Sequence, residues 1–447
     1  MGAPNLGTAP RRYKAARLPT LMPRQYIEPV LDHFLILWLA LLSVGRIDFL
    51  GGNGPFVLTP FLVISPILVA SALWRTASEG WRLRIPAAAA QYLLWVSALL
   101  GLLLASTFLS YDLPTSGRRV SLLVVQVYLV FLIGMALANR PDPQRLLLKG
   151  AYAGLALCLL FSLAQVVIWI TGPLGPEGFR NVVDLEARQY LRVIPRLTGA
   201  SHDANFGGFL VLFYTFLIVL LDRPSPIRTS AIAVGLLLIT LSLSRSAVLA
   251  ALVLWAFMGL NRSKARVTAP VTGALSAVLA GVTAMIVLSP EILDSVVRVA
   301  GLVGHRFSPE EGSTLQHAVV SVRAWEVGTE SVKNALLGIG YGNARFVLQD
   351  LFPGHEYGNF HSLFLTFFAE SGTPAALLAI WIFGRTFVRA GVYRPLVAAL
   401  IAYNLFQQAH SEPTLWLILL LAWVGIGRAP DRVEPPVRGM DPAGAPL

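Results

Sequence analysis

The chain has 447 residues, 55% of them hydrophobic and only 13% charged, with a mean hydropathy of +0.65. A soluble domain of that size needs far more surface charge, and the apolar runs are continuous rather than alternating. Composition therefore argues against a soluble enzyme and against a β-barrel. The net charge of +11 is explained by basic cytoplasmic loops, so no nucleic-acid partner is expected.

The fold expected is all-α: a polytopic integral membrane protein of about twelve transmembrane helices. Apolar windows of the length that spans a hydrocarbon core of roughly 30 Å lie at 34–45, 54–74, 87–108, 120–138, 150–171, 204–221, 229–243, 246–260, 269–289, 362–384, 395–409 and 413–427. The pair around Arg245 and the last pair are short, and read as tight hairpins with turns inside the membrane's depth. The first apolar run starts near Phe34, too far along for a cleavable signal peptide. Residues 1–33 form a basic N-terminal arm, 34–289 the first nine spans, 290–361 a large, partly helical loop, and 362–428 the last three spans. The Pro- and Gly-rich residues 429–447 read as a disordered tail. A second long loop runs from about 171 to 203. The one cysteine, Cys158, falls inside a span, so an intramolecular disulfide is excluded.

Orientation follows from Lys and Arg. Threading both termini into the cytoplasm puts 22 of the 35 basic residues inside, and 9 of the remaining 13 fall in the two long outer loops. The same threading puts six of the seven histidines outside: His202, His305, His317, His355, His361 and His410. Arg196 and Arg245 join them near helix ends, where a cation is costly without a partner. An outer face that gathers imidazole and guanidinium suits an anionic substrate.

Four segments carry this chemistry. In Arg196-Leu-Thr-Gly-Ala-Ser-His202-Asp203-Ala-Asn205-Phe-Gly-Gly208, small and capping residues open a helix whose positive dipole end lies beside Arg196. This is either an anion site or simply a well-capped helix. In Leu243-Ser-Arg245-Ser246, a guanidinium below the lipid surface would fork onto phosphate oxygens, with snorkelling to lipid headgroups as the alternative. His361 opens the run to Gly372, and a neutral imidazole there is a candidate general base or a helix cap. Arg323-Ala-Trp325-Glu326 reads either as a substrate contact or as an interfacial amphipathic helix. Arg118 and Arg119 stand on the side the charge rule disfavours, as lipid or substrate contacts. No zinc-type Cys/His spacing, P-loop or dinucleotide fingerprint is present, so a metal-independent mechanism without a cofactor is expected, with arginines neutralising the charge.

Taken in order, R-L-T-G-x-x-x-D-x-N-x-x-G from Arg196, the L-S-R-S turn, R-x-W before G-x-G-x-G-N at Gly338–Asn343, and H-S-x-x-L-x-x-x-x-E-x-G from His361 resemble the bacterial O-antigen ligase and O-antigen polymerase superfamily. The resemblance covers roughly residues 190–390. Members often carry Asn directly after the loop histidine, whereas here Asn359 precedes His361 and Ser362 follows it. The resemblance implies an inner-membrane glycosyltransferase that takes a glycan from undecaprenyl diphosphate at the periplasmic face. A polymerase of exopolysaccharide or O-antigen repeat units is the first expectation. A ligase onto lipid A core is the second, and a lipid-linked oligosaccharide flippase the third. The site residues implied are His361 as base, Arg245 and Arg196 on the diphosphate, and Arg323, Asp203 and Asn205 as substrate contacts. The partners implied are the lipid-linked oligosaccharide, a glycan or lipid A core acceptor, membrane lipids and a chain-length regulator.

Overall fold

The computed structural model describes residues 24–45, 59–79, 84–171, 197–201, 203–260, 312–352 and 359–426. Its helices are α1 (Arg24–Leu41), α2 (Pro60–Glu79), α3 (Ala87–Thr107), α4 (Leu113–Ala138), α5 (Pro143–Thr171), α6 (Ala204–Leu221), α7 (Pro226–Leu241) and α8 (Arg245–Leu260). They continue with α9 (Gly312–Thr329), α10 (Val332–Leu337), α11 (Ala344–Leu348), α12 (Leu363–Arg389), α13 (Arg394–Phe406) and α14 (Pro413–Val424). No strand occurs among the described residues. α3, α4, α5, α6 and α12 are long and apolar enough to cross a membrane, and six further apolar helices are shorter. The predicted window at 269–289, the tail and most of the loop at 171–203 lie outside the described residues.

Two helices form the centre. α6 and α14 are apolar all round, which suits burial inside a bundle: Phe209, Phe213 and Phe216 of α6 and Leu415 to Leu421 of α14 are almost wholly enclosed. α6 packs among α5, α7 and α8, and α14 packs chiefly against α3, α4 and α12. Small residues allow the close approach. Gly154 of α5 lies under the Tyr214 ring and Gly235 of α7 against Thr215, leaving no room for a Cβ at either. Buried aromatic donors find acceptors on other helices. Tyr214 donates to the Leu39 carbonyl at 2.8 Å, Tyr92 to the Trp416 carbonyl at 3.1 Å, and Trp423 to Thr386 at 2.7 Å.

The two ends of the bundle differ in chemistry. At one end Arg140 pairs with Asp32 at 2.8 Å, Arg228 donates to the Val219 carbonyl, and Arg389 donates to Gln91 while lying over the Trp423 ring. The opposite end carries the starts of α4, α6, α8, α12 and α14, and on it sits a small lobe built from α9, α10 and α11.

The lobe is fixed by a break in α12. Proline at 374 has no N–H to offer the Glu370 carbonyl four residues back, and Gly372 leaves the helical region at φ 82°. The freed carbonyls are taken up by the Gly338–Asn343 turn: Ile339 donates to Ala369 at 3.0 Å and Gly340 to Glu370 at 2.9 Å, with the Ser106 hydroxyl adding a second donor to Glu370 at 2.7 Å. The Glu370 carboxylate then accepts from Gly342 N at 2.8 Å and Ala344 N at 2.9 Å, capping α11. Arg119 donates to the Gly342 carbonyl at 2.7 Å. The glycine-rich turn and the E-x-G-x-P run are thus one structural device. The lobe core of Val320, Ala324, Val327, Ile339 and Phe360 closes on Ala369 of α12.

Candidate functional site

The Arg245 turn is built by its serines. Ser244 Oγ accepts from Ala247 N at 3.1 Å and so caps α8, Ser246 Oγ lies 3.1 Å from Ser244 Oγ, and Ser242 Oγ accepts from Ser244 N. Leu243 takes a left-handed φ of 49° to reverse the chain. Arg245 emerges half-buried as the first residue of α8. The turn is pressed onto α6, where Gly208 has no room for a Cβ against Ser242 and Ala247.

One turn earlier on α6, Asp203 caps the helix by accepting from Asn205 N at 2.6 Å and Phe206 N at 3.3 Å. Its carboxylate therefore occupies the donors that an incoming anion would need, and Asn205 contributes a backbone N–H to that cap. This favours the cap reading over the anion-site reading for Asp203. The preceding segment is equally well held. Thr198 N donates to Gln165 Oε1 at 3.0 Å, the Gln165 amide bonds the Thr198 hydroxyl, and Leu197 N donates to Leu241 O at 3.1 Å. Arg196 and His202 lie outside the described residues.

His361 is approached from three sides. Phe360, wholly buried in the lobe core, fixes its backbone from behind. Asn359 Oδ1 accepts from His361 N at 2.9 Å, and His361 itself is held at φ 54°. Leu363 N donates to Gln407 O, and Thr366 donates to Gln408 Oε1 at 2.8 Å, so the start of α12 is tied to the end of α13. The His317 ring of α9 lies 4.1 Å from the His361 ring, centroid to centroid, at 43°. Burial lowers the His361 pKa below its ordinary value, while the Asp203 carboxylate pulls it back up. The imidazole is thus mainly neutral at neutral pH, the form a base requires.

α6 connects these parts, since the charge of its Asp203 cap acts on His361 and its second turn carries the Arg245 hairpin. Arg323 is not among them. It pairs with Glu326 at 3.2 Å, six positions along α9 from His317. The neighbouring Trp325 is 60% exposed and stacks on Phe368 of α12 at 5.2 Å, which suits the interfacial reading of that helix. Arg119 serves the glycine-rich turn. His410 is enclosed by Tyr341 and Phe367, and burial, with Arg119 adding, pushes its pKa down to about 4. It is a neutral packing residue. No group of three or more His, Cys, Asp or Glu gathers to hold a metal among the described residues.

His317 is the member of the cluster that motif reading missed. The sorting of histidines to one face gave the only signal for it. No protein of curated function matches the chain. Residues 230–380, from α7 into α12 and so including both Arg245 and His361, match the family model described as O-antigen ligase. That match lies over both the turn and the histidine built up above, so the similarity to the O-antigen ligase family and the geometry fall on the same residues.

Proposed function

We propose that the chain is an envelope polysaccharide polymerase, joining undecaprenyl-diphosphate-linked repeat units at the periplasmic face of the inner membrane. The observation that carries this reading is the half-buried His361, held at φ 54° within the field of the Asp203 carboxylate, which caps the helix that also seats the Arg245 turn. In the step proposed, His361 takes the proton of the acceptor hydroxyl, and its oxygen forms the bond to the anomeric carbon. The bond from that carbon to the diphosphate breaks, and undecaprenyl diphosphate leaves as an anion. Arg245, with Arg196, neutralises the charge that builds on it. Asp203 supports the imidazolium once formed, and Arg323 is left as a peripheral contact.

The matched family is described as O-antigen ligase, which favours a second reading with lipid A core as acceptor. Both readings use the same donor and the same residues. A flippase is disfavoured, because the ionisable groups gather at the ends of the bundle rather than at mid-span.

The test is the glycan profile of a deletion strain carrying wild type, Arg245→Ala or His361→Ala. Each variant is expected to reach the membrane at wild-type level and to lose transfer by at least a hundredfold. Single repeat units on the lipid core, or loss of high-mass secreted polymer, identify a polymerase. Long chains left on undecaprenyl diphosphate identify a ligase. A wild-type profile in both variants overturns the reading.

A further inference from the structure

His361 has a neighbour that neither motif reading nor the family match assigns. His317 belongs to the lobe, 44 positions earlier in the chain, and its ring meets the His361 ring at 4.1 Å. Both residues hang from the same core. Val320, three positions beyond His317 and on the same face of α9, is wholly buried there, as is Phe360 directly before His361. The His317 carbonyl accepts from the Ser321 hydroxyl at 2.8 Å, which fixes the turn that bears it. From the other side, His361 is fixed by Asn359 Oδ1 on its N–H and by a left-handed backbone. The Asp203 carboxylate that caps α6 is near enough to act on its charge.

We propose that His317 is a positioning residue for His361, a ring packed against the imidazole that holds its nitrogens in line with the acceptor hydroxyl. The proposal rests on the reading of His361 as the general base. Two rings whose centroids are 4.1 Å apart, with planes tilted by 43°, confine one another's rotation. A base must stand within hydrogen-bond reach of the proton it takes, and about 1 Å of misplacement costs on the order of a hundredfold. The His317 ring belongs to the lobe, so a docked lobe and an aimed base are one condition. In this arrangement the lobe completes the site that α6, α8 and α12 begin.

The test uses the full-length protein in lipid nanodiscs, with the lipid-linked glycan extracted from the deletion strain as donor. His317→Ala is expected to lower kcat by roughly ten- to a hundredfold with KM within about threefold, because ring aim rather than substrate binding is lost. His317→Phe keeps a ring without a titrating nitrogen and is expected to stay within about threefold of wild type. Should the alanine variant not fold, His317→Leu supplies the same contrast of bulk without a ring. Wild-type kcat in the ringless variant overturns the proposal, as does a phenylalanine variant as slow as it. His361→Ala separates the two layers. If it retains wild-type activity, the base assignment itself has failed, whereas an inactive His361→Ala beside a fully active His317→Ala removes only the role of His317.

Discussion

Two side chains among the described residues sit on left-handed backbone, Leu243 and His361, and each is, or lies two positions from, a residue the proposed chemistry uses. Such a conformation costs about 1–3 kcal/mol in a non-glycine residue and persists only where the surroundings impose it. At His361 the imposition comes from Asn359, the buried Phe360 and the docked start of α12. The charge environment there makes a signed prediction. Activity needs the neutral imidazole, and Asp203 favours the charged one. Asp203→Asn keeps a good cap but removes that field, so the His361 pKa falls and the acid limb of kcat/KM moves to lower pH. An acid limb that stays in place, or moves upward, in a pH–rate profile would contradict the assignment of His361 as the titrating base.

Among elements, the broken α12 does most to shape the site. Its sequence run Glu370-Ser-Gly-Thr-Pro374 opens the helix, and the glycine-rich turn closes it by supplying the N–H groups that proline cannot. Glu370→Ala removes two hydrogen bonds to a carboxylate, worth about 1.5–3 kcal/mol each. The variant is expected to unfold at a melting temperature lower by several degrees and to lose transfer with the lobe. Thermal unfolding in detergent together with protease sensitivity near Gly338 checks it, and unchanged values would mean the turn is held elsewhere. Local grammar was legible in the sequence. The apolar run of α6 begins and ends where hydropathy places it, and Asp203, Pro226 and Pro413 stand at helix starts. The joins were not legible. Glu370 reaching Gly342, Arg119 reaching the Gly342 carbonyl and His317 reaching His361 span 28, 223 and 44 positions, and no periodicity within a helix encodes a partner that distant. The cap at Asp203, by contrast, is local, and the sequence offered it beside the anion-site reading.

At the scale of the whole molecule, Arg140, Arg228 and Arg389 are bonded at one end of the bundle, while the other end carries the lobe, the serine-built Arg245 turn and the histidine pair. α13 has 13 residues and α14 has 12, or about 20 Å and 18 Å of helix. A bilayer core is roughly 30 Å thick and α14 is enclosed by its neighbours, so it is beside the ends of α13 that lipid must thin or the protein must leave polar groups in oil. The polar termini concerned are those of Gln407, Gln408 and the α12 start, which adjoin His361. Acyl-chain length therefore becomes a variable of the enzyme. Reconstituted into vesicles whose lipids differ only in chain length, the protein should turn over fastest in the thinnest bilayer and lose several-fold in the thickest. A rate indifferent to chain length would mean that other protein surface shields the short helices. If the dependence holds, the membrane around the protein is a dimple, and a lipid-linked substrate drifting into it would be carried toward the level of His361 by the shape of the bilayer itself.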